Sequence, residues 1–426
     1  MTPAKGYAKM KDSGIEWVGM IPAHWGICKI KYTVTQETLR AENNGGYIGL
    51  ENVESWSGKI IDKHNENVVA EGASLAVCPN DILFGKLRPY LAKCAIAEKS
   101  GCCSTEFIVM RPHSIEGRFL KYVMLTPQFI DMVNMSTYGA KMPRANWDFI
   151  GNALLAMPSR DEQAAIASYL DAQCAKIDEI IAEAKASMED YKQWKASIIY
   201  EAVTKGLDPN VEMKDSGIEW IGKVPMRWKI VRLKYLLSTP LQYGANETGL
   251  PYDESLPRYI RITDITLDGK LKTSGMQSLS EEKSEGYILD DEDILLARSG
   301  ATVGKAFYYR ESYGKAAFAG YLIRAKINSA KALPKFIYYS TMSAGYEKWK
   351  ETAVIQATIQ NIGASRYNEY SLAIPPIAEQ LRIIEFLDDK MEKIDSLMAE
   401  KQSLIGDLES YKKSLIYEVV TGKRRV

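Results

Sequence analysis

Apolar residues recur at alternating three- and four-residue spacing over two long stretches of the chain, residues 161–204 and 378–421. A stripe with this spacing, sustained over several heptads, is typical of a coiled coil. Two such stretches in one chain most simply pair with each other. The pattern therefore predicts two long helices that form an antiparallel coiled coil.

The two stretches match each other without a gap, at a constant offset of 217 residues. A proline precedes each stretch and a glycine follows it: Pro158, Pro375, Gly206 and Gly422. Residues of these types mark the starts and ends of helices. A lysine interrupts the apolar stripe at equivalent positions, Lys195 and Lys412. Because a polar residue in a coiled-coil core can fix the register, we expect this role for both lysines.

A second repeat lies ahead of each stretch. The segments 10–32 and 213–235 share 14 of 23 positions at an offset of 203 and both begin with MKDSGIEW. Duplication of this kind indicates internal pseudo-twofold organisation. Such a molecule suits a partner that itself has two parts, such as the two halves of a DNA site.

Two mixed segments, 33–157 and 236–374, lie between these repeats. They contain short alternating runs rich in Gly, Tyr, Val and Ile, which predict sheet with some helix. The predicted fold class is α+β, with two mixed α/β domains separated by the two long helices. The predicted boundaries are 1–157 for the first domain, 158–207 for the central helix, 208–374 for the second domain and 375–426 for the distal helix.

The composition, 46% apolar and 25% charged with a net charge of zero, is that of a globular protein. No apolar run reaches the length of about 18 residues that a membrane helix needs, and residues 1–14 lack the apolar core of a signal peptide. The six cysteines show no CxxC spacing, which favours reduced thiols. These features predict a cytoplasmic protein.

A search for catalytic motifs finds none. The three histidines are scattered and GxSxG is absent. The segment 300–306 resembles a phosphate loop, but it has three residues between its glycines and Ala306 replaces the magnesium-binding Ser or Thr. We therefore predict no catalytic residue and no metal site in this chain.

Polar and basic loops in the mixed segments remain as candidates for binding nucleic acid. In the first segment the candidate residues are Lys86, Arg88, Tyr90, Tyr138, Lys141 and Arg144. In the second they are Arg298, Ser299, Thr302, Lys305, Gln356, Thr358, Gln360 and Asn361. Arg and Lys bind phosphate or guanine, and Gln and Asn pair with adenine. For any one of these residues, a surface or turn role is the alternative.

The order of these parts resembles the specificity subunit of type I restriction–modification systems. The resemblance is carried by SGIEWVGMIPAHW and SGIEWIGKVPMRW, by DILFGKLRPYL, and by LLAMPSRDEQAAIASYLD and LAIPPIAEQLRIIEFLD at the helix starts. It implies two target recognition domains, each reading one half of a split site in double-stranded DNA. It also implies that the paired helices set the spacing of the halves.

The resemblance further implies partners for this chain. Two modification subunits, which methylate adenine with S-adenosylmethionine, would dock on the helices. Restriction subunits, which use ATP and Mg and carry the nuclease, would join them. The chain itself would hold no cofactor and would not be an enzyme. A self-contained methyltransferase or nuclease and a purely structural coiled-coil adaptor are the alternatives.

Overall fold

The computed structural model describes residues 7–41, 46–61, 74–137, 142–266, 269–353 and 361–426. The chain forms two compact units. The first unit combines residues 1–185 with 402–426, and the second unit comprises residues 186–401. Each unit therefore contains one mixed segment together with part of each long helix.

The first unit opens with a hairpin, in which Met10 of β1 lies opposite Pro22 of β2. Its strands are β1 (Met10–Asp12), β2 (Met20–Pro22), β3 (Gly26–Lys29), β4 (Val34–Glu37), β5 (Arg40–Ala41), β6 (Tyr47–Ile48), β7 (Ser74–Val77), β8 (Ile82–Gly85), β9 (Cys94–Ile96), β10 (Gly101–Ser104), β11 (Phe107–Pro112) and β12 (Leu154–Met157). Two four-stranded sheets have the orders β4-β11-β8-β9 and β5-β7-β10-β6, and β3 pairs with β12. The central strand β8 is buried along its whole length because it reads Ile-Leu-Phe-Gly.

Four helices complete this part of the chain: α1 (Gly117–Met124), α2 (Pro127–Met135), α3 (Trp147–Asn152) and α4 (Arg160–Lys205). The side chain of Asn146 caps α3 by accepting a hydrogen bond from the Phe149 amide at 2.8 Å. Thr126 caps α2, where Pro127 takes the first helical position because its missing N–H is not needed there.

The second unit repeats the larger sheet. Its strands are β13 (Met213–Asp215), β14 (Lys223–Pro225), β15 (Lys229–Arg232), β16 (Gln242–Tyr243), β17 (Leu250–Pro251), β18 (Arg258–Ile260), β19 (Gln277–Ser278), β20 (Ile294–Ala297), β21 (Ala306–Tyr308), β22 (Ala316–Phe318), β23 (Leu322–Ala325) and β24 (Ser371–Ile374). The sheet β16-β23-β20-β21 matches β4-β11-β8-β9 strand for strand. The smaller sheet has the order β17-β19-β18-β22, so the two units differ there. The two units therefore share the larger sheet and differ in the smaller one.

The helices of the second unit also follow the first, with one addition. They are α5 (Glu281–Ser284), α6 (Pro334–Ser340), α7 (Ala344–Ala353), α8 (Ala364–Asn368) and α9 (Ile377–Val420). The helices α6, α7 and α8 correspond to α1, α2 and α3 at the offset of 217. Helix α5 has no counterpart among the described residues of the first unit.

The two long helices agree with the sequence pattern. Helix α4 has 46 residues and α9 has 44. Both end at the predicted glycines, since Gly206 and Gly422 have φ angles of +78° and +73°. This left-handed conformation stops a helix and suits glycine, which has no Cβ.

The MKDSGIEW segments pack against the ends of these helices. In the first unit the Tyr417 hydroxyl donates a hydrogen bond to the Trp17 carbonyl at 3.0 Å. In the second unit the Tyr200 hydroxyl donates a similar bond at 3.1 Å to the carbonyl of Ile221, one residue further along the repeat. The duplicated segments therefore anchor the start of each mixed segment to a helix end.

Candidate nucleic-acid interface

In each unit two of the predicted loops meet through backbone hydrogen bonds. In the first unit the Ala145 amide donates to the Lys86 carbonyl at 2.9 Å. In the second unit the Ile362 amide donates to the Arg298 carbonyl at 2.8 Å. In the first unit this bond joins the loop after the buried strand β8 to the segment before α3. In the second unit it joins the loop after the buried strand β20 to the segment before α8. We call this pair of joined loops the tip of each unit.

The tip of the first unit presents basic and aromatic side chains. The Arg144 guanidinium makes two hydrogen bonds to the Glu106 carboxylate, at 3.0 and 3.1 Å. Arg88 and Tyr90 are exposed and Lys86 is half-buried. Arg88 has a φ of +52°. A non-glycine residue is strained at this angle, and backbone strain of this kind is concentrated at functional sites. This tip offers positive charge in an arrangement fixed by backbone contacts.

The tip of the second unit has the same backbone contact and different side chains. The Arg298 guanidinium lies over the Tyr243 ring, 4.9 Å from its centre. The Arg298 Nε and Asn361 Oδ1 atoms are both covered and have no hydrogen-bond partner among the described residues. Ser299 pairs with Asn361 through a backbone bridge. Buried polar atoms are rarely left without a hydrogen bond, so these two atoms mark the tip as a candidate binding site.

The remaining predicted residues are Lys305 and Thr302, which lie in the described part of the second unit, and five that lie outside the described residues. Lys305 lies 3.6 Å from the Glu347 carboxylate, and Thr302 is half-buried. Five predicted residues lie outside the described residues: Tyr138, Lys141, Gln356, Thr358 and Gln360. The sequence reasoning missed Glu106 and Tyr243, which orient the two arginines. No repeat or motif marks either residue, because they belong to the parts in which the two segments diverge.

A buried ion pair lies at the other end of the central strands. Asp81, 1% exposed, accepts hydrogen bonds at 2.9 Å from Nε and Nη2 of Arg111. In the second unit Arg324 Nε lies 2.7 Å from Oδ2 of Asp293. Burial raises the pKa of the Asp293 carboxyl above its ordinary value. The pairs were not predicted, although the repeated Asp-Ile-Leu that opens each central strand was a usable signal.

A glutamine at the start of each long helix holds the adjacent mixed segment. Gln163 donates to the Pro158 carbonyl at 2.9 Å and accepts from the Glu116 amide at 2.8 Å. The second unit repeats both bonds with Gln380, Pro375 and Leu333. The two glutamines are 2% and 0% exposed. We call each of these arrangements a glutamine latch.

An aspartate about two turns further along each helix makes a second shared contact. In the first unit Asp171 accepts from the Tyr122 hydroxyl at 2.7 Å and from Arg118 at 3.0 Å. In the second unit Asp388 pairs with Tyr339 and with Lys335 in the same way. The mixed segments are therefore anchored in the same way in both units.

The lysines within the apolar stripe pair across the two helices. Lys412 Nζ lies 2.6 Å from Asp178 Oδ1 in the first unit, and Lys195 Nζ lies 2.6 Å from Asp395 Oδ1 in the second. The two residue numbers add up to 590 in each pair. In an antiparallel helix pair this sum is constant along the helices, so both pairs belong to one register. Burial opposes ionisation of Asp178, but hydrogen bonds from Lys412 and Lys59 outweigh it and hold its pKa below the ordinary value. These contacts match the expectation that the lysines set the register.

Each unit also exposes apolar residues on one side of its helix pair. In this register Ile180 is level with residue 410, the neighbour of Tyr411. The Ile180 side chain is 44% exposed and the Tyr411 side chain is 39% exposed. In the second unit Leu397 is level with residue 193, the neighbour of Trp194. The Leu397 side chain is 39% exposed and the Trp194 side chain is 51% exposed. The two pairs are equivalent at the offset of 217. We call them the apolar helix patches.

Exposed residues of both charges border these patches. Glu400 lies one turn after Leu397 and Lys393 lies one turn before it, and both are exposed. Residues three or four apart on a helix are surface neighbours. The opposite side of each helix pair carries Asp171 or Asp388, which contact the mixed segments. The patches therefore lie on the side that the mixed segments leave open.

No cluster of three metal-binding side chains occurs in the described part of the chain. Among the same residues no helix is long and apolar enough to span a membrane.

Comparison with known proteins gives a consistent result. Residues 258–405 match the family model "Type I restriction modification DNA specificity domain". The type I restriction enzyme MjaVIII specificity subunit of Methanocaldococcus jannaschii is 23% identical over 296 residues, covering 68% of this chain and 66% of that protein. The EcoKI specificity subunit of Escherichia coli K12 is 28% identical over 215 residues, covering 47% of this chain and 44% of that protein.

The EcoBI specificity subunit of Escherichia coli is 21% identical over 310 residues, covering 70% of this chain and 64% of that protein. The chain thus covers less than two-thirds of the length of each of these relatives. Among solved structures, a chain of a type I R-M system has a TM-score of 0.71 at 16% identity, with 94% of this chain and 98% of that chain covered. That likeness establishes the fold.

Proposed function

We propose that this chain, which belongs to the family of type I restriction–modification specificity subunits, reads a split DNA site with one half assigned to each unit. The observation that carries the proposal is the tip. Both units join the same two loops by the same backbone bond, between Ala145 and Lys86 or between Ile362 and Arg298. The side chains presented there differ. A shared frame with different polar groups suits two readers of different sequences.

The side chains at each tip suit contact with DNA. Arg298 and Asn361 have the chemistry that pairs with guanine and with adenine in the major groove. In the first unit Arg88 and Arg144 supply positive charge for phosphate or guanine, and Tyr90 offers an exposed ring. Glu106 fixes the Arg144 guanidinium, so its geometry is set before DNA arrives. The predicted residues outside the described part, Tyr138, Lys141, Gln356, Thr358 and Gln360, belong to the same proposal.

We assign the recognition domains to residues 1–157 and 208–374, and the spacer helices to 158–207 and 375–426. The lysine–aspartate pairs support a spacer role, because they fix one register between the helices. Inserting one heptad at equivalent places in both helices, after Ser187 and after Leu404, adds about 10 Å to the spacer. The gap between the half-sites should change while both half-sequences stay the same.

Two modification subunits are the proposed partners of the helices, and restriction subunits join that core. The apolar helix patches support this part of the proposal, since they occur once per unit at equivalent positions. An identical partner can therefore meet each unit through the same contact.

The chain contributes recognition and assembly in this proposal, and catalysis belongs to its partners. S-adenosylmethionine would be bound by the modification subunits, and ATP and Mg by the restriction subunits. The protein would act in the cytoplasm. A self-contained methyltransferase or nuclease would require methylation or cleavage of DNA by the isolated chain.

The test measures binding of DNA by the chain together with its modification subunits, against a library of split sites. Arg298→Ala should relax selection at one or two bases of one half-site, with a loss of about 1–3 kcal/mol at those bases. Arg88→Ala serves as the matched change in the other unit and should affect the other half-site. Changes confined to the same half-site in both variants, or no sequence preference in the wild type, would refute the proposal.

The partner assignment has its own test. Trp194→Lys places a charge in an apolar helix patch, whereas Gln193→Lys places the same charge at the exposed neighbouring residue. We expect Trp194→Lys to weaken assembly with the modification subunits at least tenfold, measured by analytical ultracentrifugation. Equal assembly of the two variants would contradict the assignment of this side of the helices to the partner.

A further inference from the structure

A groove of about 860 Å³ lies on the first unit, and its lining includes none of the tip residues Lys86, Arg88, Tyr90 and Arg144. It is formed by the segment Gly14–Trp17, by α2 and by the region from α3 to β12. Its apolar side chains are unusually open to solvent. Met135 is 87% exposed, and Phe149 and Leu154 are each 37% exposed. Exposed apolar side chains gathered in one groove mark a binding surface more often than a random surface feature.

The rim of the groove is acidic. Glu16, Asp131 and Asp148 line it and are exposed, and the described residues that line the groove include no lysine or arginine. None of the three carboxylates forms an ion pair with another described residue. This charge disfavours DNA and favours a ligand with positive groups placed beside apolar ones.

The equivalent place in the second unit is closed. Trp349 stands where the first unit has Met132, and it is 5% exposed. Its ring lies 4.6 Å from the Tyr370 ring and 5.2 Å from the Tyr346 ring, measured between centres. Met135 is replaced by Thr352. The second unit therefore fills the space from within.

The charge also changes between the units. Lys348 occupies the position of Asp131, Ser365 that of Asp148 and Arg366 that of Phe149. The groove is therefore not a requirement of the repeated fold. A surface that occurs in one unit of a duplicated scaffold suits a ligand that binds once per chain.

Two polar atoms of the groove residues lack a hydrogen-bond partner among the described residues, Trp17 Nε1 and Gln128 Oε1. One is a donor and the other an acceptor. A polypeptide ligand carries both a carbonyl and an amide in each residue, so it could pair with both atoms after a small side-chain movement. Trp220 Nε1 is unpaired as well, but Gly345 stands at the position of Gln128, so the donor–acceptor combination belongs to the first unit.

We propose that this groove binds a basic, amphipathic segment of a partner polypeptide, one copy per chain. Bulky apolar side chains of the segment would lie against Met132, Met135 and Phe149, and its Lys or Arg side chains would face Glu16, Asp131 and Asp148. This proposal does not depend on the DNA-reading role, because none of these residues belongs to a tip.

The experiment uses the full-length chain and a fluorescent probe peptide of leucine and lysine at helical spacing. Fluorescence anisotropy gives its affinity, and hydrogen exchange locates its binding site. We expect protection of amides in α2 and α3. The double variant Met135→Thr/Phe149→Arg, which carries the side chains of the second unit, should bind about tenfold more weakly or worse.

Asp131→Lys provides a second variant at an exposed position where folding is not at risk. It should weaken binding of the lysine peptide about three- to tenfold and should not weaken a peptide with glutamate in place of lysine. Trp194→Lys is the control, since it disables an apolar helix patch and leaves the groove intact. DNA binding by the groove variants should equal that of the wild type.

Three results would overturn the proposal. One is unchanged affinity in the groove variants, and another is equal binding of the lysine and glutamate peptides. The third is loss of the peptide site when the modification subunits bind, because the groove would then belong to their interface rather than to a further partner.

Discussion

The two units have the same glutamine latches but different side chains at their tips. Both latches use the same four hydrogen-bonding groups, at 2.7 to 2.9 Å. At the tips, Arg144 is held by a carboxylate whereas Arg298 lies on an aromatic ring. The difference teaches that anchoring and reading are carried by separate residues. One can change while the other is kept.

Loss of a latch should have the largest effect on stability. Gln163→Ala and Gln380→Ala each leave a buried amide and a buried carbonyl without a partner, so each should lower the free energy of unfolding by about 2–4 kcal/mol. Urea unfolding measures the change. The costs in the two units should agree within about 1 kcal/mol if the latches are equivalent.

Exposed glutamines on the same helices provide the control. Gln193→Ala and Gln402→Ala should change the free energy of unfolding by about 0.5 kcal/mol or less. If one latch variant lowers the free energy of unfolding no more than the controls do, the unit that contains that latch does not depend on its glutamine.

The lysine–aspartate pairs should distinguish the units by their burial. The Lys412 side chain is 10% exposed and that of Lys195 is 21% exposed, while Asp395 is 45% exposed. Asp178→Asn leaves the more buried lysine charge unpaired and should cost about 2 kcal/mol, whereas Asp395→Asn should cost about 1 kcal/mol or less. Chemical denaturation measures both.

The double variant Asp178→Asn/Lys412→Met checks the cause of that loss. Removing both charges should recover most of the stability, because no buried charge then remains without a partner. No recovery would mean that the aspartate acts through some other contact, such as its bond to Lys59.

The stacked arginine should have a smaller effect, confined to one half-site. Tyr243→Leu removes the ring beneath Arg298, a contact worth about 0.5–1 kcal/mol, and should weaken binding to one half-site by about two- to fivefold. A competition assay with sites altered in one half measures this effect. Weakening at both half-sites would argue that the tips are not independent.

The smallest expected effect concerns acid. The pKa of Asp178 is lowered in the folded protein, so its ionised form contributes stability above the unfolded pKa of about 3.9. That contribution is lost as the pH falls through the lower folded pKa. The stability difference between the wild type and Asp178→Asn should therefore shrink between pH 6 and pH 3. If the difference instead grows as the pH falls, folding raises the pKa of Asp178 rather than lowering it.

The repeats made the scaffold predictable. Apolar spacing, Pro158 and Gly206 located the central helix, and the interrupting lysines indicated the register. Backbone and packing patterns of this kind recur along the sequence and can be read locally. The partners of those lysines, Asp178 and Asp395, were also visible as matched positions.

The tips were predictable only in part. The sequence pointed to Lys86, Arg144, Arg298 and Asn361, and the fold brings them together within each unit. It did not point to Tyr243, because contact across a divergent loop depends on tertiary structure. The groove was missed for the same reason, since it forms where the segment Gly14–Trp17 meets Met135 and Phe149, which lie more than 100 residues further along the chain.

The division of the chain into units has a consequence for synthesis on the ribosome. The second unit is continuous, residues 186–401, whereas the first unit needs residues 402–426 in addition to 1–185. Domains fold as the chain emerges. The second unit is complete as soon as residue 401 has emerged, while the first waits for the last segment. Lys412 then meets Asp178, so the half of the protein that is made first is the half that finishes folding last.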